Sequence, residues 1–117
     1  MTEDLWDLLR STHKVQRMVE DLRLSDAAGT TTAEQEREYY LHRAALAQRH
    51  LAAAADTGSD PEEGRQEAGE AALLLWKHDS LHGSHRGLLP ARHPNWKASN
   101  LGDYVRQETE AAGLDPN

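Results

Sequence analysis

At 117 residues and a formal charge of −7, the chain has the commonest size of a single domain, and its acidity argues against a surface that grips nucleic acid over its whole extent. It has no cysteine, which excludes disulfides, thiolate metal ligands and cysteine nucleophiles. Its aliphatic residues are almost all Leu and Ala, with Val only at Val15, Val19 and Val105 and no Ile or Phe, so the residue types that favour a pleated strand are nearly absent and the composition points to helix.

From Thr2 to about Leu24 the residues Leu5, Leu8, Val15, Val19 and Leu22 recur at three- and four-residue steps, with Leu9, Thr12 and Met18 widening the stripe. This predicts a first amphipathic helix over 3–24, capped by Thr2, with Glu3 and Asp4 at its positive end and Ser25 to Gly29 as the turn that stops it. Thr32 followed by Gln35 fits a capping box and predicts a second helix over 33–55. Its expected inner line is Leu41, Ala44, Ala45, Gln48, Leu51, Ala52 and Ala55, a narrow face of mostly small side chains, ended by Asp56 to Ser59.

Asp60-Pro61-Glu62-Glu63 is the clearest local signal: a capping acid, a proline where the missing N–H is harmless, and acids in the first turn. A third helix over 61–82 follows, with Ala68, Ala72, Leu75 and Asp79 on one line and Ala71, Leu74 and His78 beside it. Gly83 terminates it, leaving His78 and His82 one turn apart. Residues 84 to 98 carry Pro90 and Pro94 and no helical period, yet hold Leu88, Leu89 and Trp96, which a free linker would not need. They are expected to dock as an ordered loop against the ends of the first and third helices with those three residues buried. Ser99 or Asn100 caps a short last helix over 100–112 that uses Leu101, Tyr104, Val105, Glu108 and Ala112, stopped by Gly113 with Leu114 folding back. Residues 115–117 are expected to fray.

The fold expected from these elements is all-α: one domain over 1–114, a small up-down helical bundle of three long helices plus a short C-terminal helix, with a long ordered loop before the last helix. No apolar run approaches the ~20 residues that cross a bilayer, and the first residues are acidic where a signal peptide is basic, so a cytoplasmic protein without membrane contact is expected.

Chemistry concentrates between Leu73 and Lys97. Residues 77 to 97 carry a local charge of +3, which leaves −10 for the remainder. His78, His82 and His85, with Asp79 beside them and His93 further on, have the ligand types of a zinc, nickel or iron site, although no Glu base or fixed third ligand completes an established motif. Lys77, Arg86, Arg92, Trp96 and Lys97, with Trp76, suit an anion, a single strand or an acidic protein partner. Trp6 and Leu73 fall off the inner lines of their helices and are candidate interface residues for a partner or a second copy. The Glu-x-x-His pairs of four-helix metal enzymes are absent: Glu38 and His42 stand four apart, and helix three offers no such pair. No Gly-x-Ser-x-Gly, phosphate loop or dinucleotide fingerprint occurs, so an enzyme is unsupported. The leading expectation is a small helical protein-interaction or regulatory module, with a protein partner or homo-oligomer. The alternatives are a His-based metal protein or enzyme, holding a divalent transition metal such as zinc, and an anion or single-strand binder.

Overall fold

In a computed structural model, which describes residues 2–54, 58 and 60–114 and the side chains from Leu5 onward, the chain is all-helical, with no strand among the described residues. Helix α1 spans Thr2–Ala28, α2 Ala33–Ala52 and α3 Pro61–His82; a 3-10 turn at Ala98–Asn100 leads into α4, Leu101–Ala111. The expected turn at Asp56 to Ser59 lies mostly outside the described residues, as do Ala55 and the expected fraying at 115–117, and the capping side chains at 2–4 are likewise not described.

The local capping signals act as written. Thr32 Oγ1 accepts from the Gln35 amide at 3.1 Å. Asp60 accepts from the Glu62 amide at 3.0 Å, directly before Pro61 at the first helical position. Replacing Asp60 by Ala orphans that donor and is expected to cost about 1 kcal/mol, read as a lower melting temperature. At the far end of α4, Gly113 sits at φ 72° and the Leu114 amide turns back to Thr109 O at 2.9 Å, which brings Leu114 against the core.

One boundary moves. α1 continues through Ser25 to Ala28, and only Gly29, at φ 71°, breaks it. Ser25 remains helical because its hydroxyl is used within and beside the helix: it donates to Leu22 O at 3.1 Å and lies 2.7 Å from Thr31 Oγ1.

α2 is the central helix, packed against α1, α3 and α4, whereas the extensive contact of α1 is with α2 alone. Ser11 meets Arg49 and Ser25 meets Gln35 across the first pair. Arg43 meets Glu67 and Arg37 meets Asp79 across the second, so in both pairs residue numbers rise in opposite senses. The core is formed by Leu41, Ala44 and Ala47 of α2, Ala71, Ala72 and Leu75 of α3, Leu101, Tyr104 and Val105 of α4, and Ala91 of the intervening segment. Among the described side chains of α1 none belongs to that cluster; of these only Leu8 is buried, and Val15, Val19 and Leu22 are half-buried. The inner line of α2 is also rotated from expectation: Arg37 and Ala47 are buried, Ala45, Gln48 and Leu51 are half-buried, and Ala52 is exposed. The rotation turns a guanidinium into the interior, which has consequences at the other end of the molecule.

Candidate functional site

Arg37 is 2% exposed and lies in line with Leu41 and Ala44, one and two turns along α2. A buried guanidinium needs carboxylates, and two are present. Its Nε and one Nη donate to the two oxygens of Asp79 at 2.7 and 3.1 Å, a bidentate pair, and the same Nη donates to Glu108 at 2.6 Å. The three side chains come from α2, α3 and α4, so a single ionic cluster joins every helix of the core.

Each carboxylate is further saturated. Asp79 accepts from the Tyr104 hydroxyl at 2.5 Å and from Ser84 Oγ at 2.8 Å. Glu108 accepts from the backbone amides of Arg86 and Gly87 at 2.6 and 2.9 Å and from Gln107 Nε2 at 2.7 Å. Burial alone would raise the Asp79 carboxyl, but the hydrogen bonds from Arg37, Tyr104 and Ser84, with the charge of Arg37, hold it below its ordinary range. Burial would likewise lower Arg37, and the bond and charge of Asp79 together with the charge of Glu108 raise it instead. The Tyr104 hydroxyl is pushed far up by burial and by its bond to Asp79, which keeps it a donor.

This cluster fixes the segment after α3. Ser84, Arg86 and Gly87 are tied to it directly, and Gln107 bonds both the amide and the carbonyl of Leu89, at 3.2 and 2.9 Å. A Cβ on Gly87 would fall 2.2 Å from the Gln107 side chain, so glycine is what allows the segment to lie this close to α4. Further along, Trp76 Nε1 donates to Ala91 O at 2.7 Å and Arg92 Nε donates to Ser80 O at 2.6 Å. The segment is therefore docked, but on α3 and α4 and not on α1 and α3, because the anchoring carboxylate belongs to α4. Leu88 corrects the expectation of burial outright: it is 96% exposed. Leu89 and Trp96 are half-buried, with the Trp96 ring edge-on to Tyr104 at 5.2 Å. Truncating Leu88 to Ala should change stability by no more than about 0.5 kcal/mol. Trp96→Ala should cost about 2 kcal/mol, less than a fully buried aromatic, and paired thermal melts decide between the two.

The histidines are only partly gathered. His78 is buried, its ring 4.4 Å from that of His82 and 5.5 Å from Tyr40, and its Nδ1 lies 3.7 Å from Asp79. His82 and His93 are exposed and His85 is half-buried; His93 Nδ1 accepts from the Asn95 amide at 3.0 Å. Among the described residues no group of three or more His, Asp or Glu is placed to hold a metal ion.

The cations stay at the surface: Lys77, Arg86, Arg92 and Lys97 are all exposed, with Arg86 at 3.7 Å from Glu34. Trp96 and Trp76 are half-buried and packed against the core. Trp6 and Leu73 are exposed at 57% and 37%.

Sequence reasoning placed Asp79 and Glu108 on inward lines but missed Arg37. Its signal was the four-residue step to Leu41, which puts a cation on the apolar stripe of a helix whose neighbours carry inward acids. Comparison with family models, with curated proteins and with solved structures finds no match to this chain.

Proposed function

We propose that this chain is a small helical protein-interaction module that presents its 84–97 segment to an acidic protein partner. On this reading the up-down bundle is scaffold and the Arg37–Asp79–Glu108 cluster is the clamp that holds the recognition segment in one conformation, so that little ordering entropy remains to be lost on binding. The observation that carries it is Leu88: a segment tied down at Ser84, Arg86, Gly87, Leu89, Ala91 and Arg92 nevertheless holds a large apolar side chain almost wholly in water. An ordered, exposed leucine in a segment whose charged residues Arg86, Arg92 and Lys97 are all cations and all exposed suits an apolar anchor on a basic strip. The matching partner segment carries an apolar pocket and carboxylates, and because the rest of this chain is acidic and repels such a partner, docking is confined to the 84–97 segment.

A photo-crosslinking residue placed at position 88, with a control at the exposed Gln66 on α3, tests this in cells of the source. The reading requires a protein captured from position 88 and not from 66, its crosslinked peptide acidic, and capture lost when Arg86 and Arg92 are both changed to Glu. Equal capture from both positions, or capture indifferent to the charge reversal, refutes it.

A further inference from the structure

We infer that the groove between α2, α3 and α4 is a binding site for a small amphiphile that carries a carboxylate on an apolar body. This groove is separate from the 84–97 segment and does not depend on the function proposed for it. It encloses about 600 Å3, within the range of small-molecule sites at roughly 300–1,000 Å3.

The opening follows from side-chain size. At Gly64, α3 lies so close to α2 that an added Cβ would be 3.0 Å from Leu51, and the helices leave no room there. One to two turns later Ala68, Gly69 and Ala72 face the groove, and α4 contributes Leu101 and Gly102. These residues are too small to fill it. A Cβ at Gly69 would meet nothing within 4 Å. Ala72 and Leu101 belong to the core cluster, so the floor is the apolar interior itself.

Among the described residues the charge at the groove has one sign: Arg49 and Arg106 line it and no described Asp or Glu does, on a chain of net −7. Arg49 is half-buried, donates to Ser11 Oγ at 2.6 Å, and has no carboxylate partner among the described residues. Its charge is felt next door: burial first, and Arg49 second, hold the His50 imidazole below its ordinary range. Among the described residues Arg106 pairs only with Asp103 on its own helix at 2.8 Å, where both side chains are well exposed. A half-buried guanidinium without a carboxylate partner among the described residues, beside an open apolar floor, is complementary to a carboxylate whose body is hydrocarbon.

Decanoate and 1-decanol, which share the chain and differ in the charge, are the probes, titrated into the full chain and followed by amide chemical shifts and calorimetry. Saturable single-site binding of decanoate is expected, with shifts at residues 48–52, 68–72 and 98–106, and binding of decanol at least tenfold weaker. Gly69→Leu projects into open space and replaces a poor helix former within α3, so it should keep or raise the melting temperature while abolishing decanoate binding. Arg49→Gln with Arg106→Gln should reduce decanoate to the affinity of decanol. No saturable binding, equal affinity for the two probes, or undiminished binding to folded Gly69→Leu overturns the assignment.

Discussion

Arg37→Ala is expected to destabilise the domain by about 3–5 kcal/mol, a large part of the 5–15 kcal/mol typical of a domain this size. The cost does not measure what the ion cluster contributes. It arises because the variant leaves Asp79 and Glu108, both fully buried, without their shared cation. Arg37→Met, with Asp79→Asn and Glu108→Gln in the same chain, should recover part of the loss, and the comparison of these denaturation midpoints separates burial cost from pair strength. The wild type also carries a pH signature. Asp79 is held below its unfolded value, so its contribution is fully present above the ordinary carboxylate range near pH 4 and is lost as pH falls through the depressed folded value. Denaturation midpoints should therefore be insensitive to Asp79 from pH 5 to 8 and fall below about pH 4. In Asp79→Asn that component of the acid slope should be missing. An unchanged acid slope would show that Asp79 is not held down in the native state.

How much of this was legible depends on how local the cause is. Asp60-Pro61, Thr32 with Gln35, Gly83 and Gly113 are short-range signals whose partners lie within a few residues, and the helix ends they mark stand where the sequence places them. Ser25 misled because the same hydroxyl that favours turns also bonds back within a helix, and only the contact with Thr31 decides which. The docking of residues 84 to 98 follows the expectation in kind and departs from it in place. Apolar content suggested hydrophobic burial, yet the segment is held largely by carboxylate and amide bonds to Glu108 and Gln107, and a carboxylate twenty residues away carries no sequence mark of the amides it will accept. Leu88 shows the limit of composition as a guide: a large apolar residue in an ordered segment reads as core until the backbone direction is known. Arg37 shows the limit of periodicity, since one cation on an apolar stripe is intelligible only once Asp79 and Glu108 are seen to converge on it.

Glu108→Gln should loosen the 84–89 segment more than it loosens the helices. In the wild type the carboxylate accepts four bonds: from Arg37, from the Arg86 and Gly87 amides, and from Gln107. A glutamine of the same shape keeps one acceptor oxygen and turns an NH2 group toward donors that cannot accept it. Whichever way the amide is flipped, one side of the site sets N–H against N–H: either Arg37 and the Arg86 amide, which share Oε1, or the Gly87 amide and Gln107, which share Oε2, lose their partner. Orphaning such groups costs about 1–3 kcal/mol each, so a total near 3 kcal/mol is expected. Its distribution is the more telling result. Arg37 retains both bonds to Asp79 in this variant, and the α2–α3 junction survives. The Gly87 amide, by contrast, has only Glu108. Hydrogen exchange should therefore speed up at Arg86 and Gly87 by a larger factor than at Leu41 or Leu75, which open only with the whole domain. Uniform acceleration across all four positions would mean that Glu108 stabilises the fold as a unit and that the 84–97 segment has no conformational lock of its own.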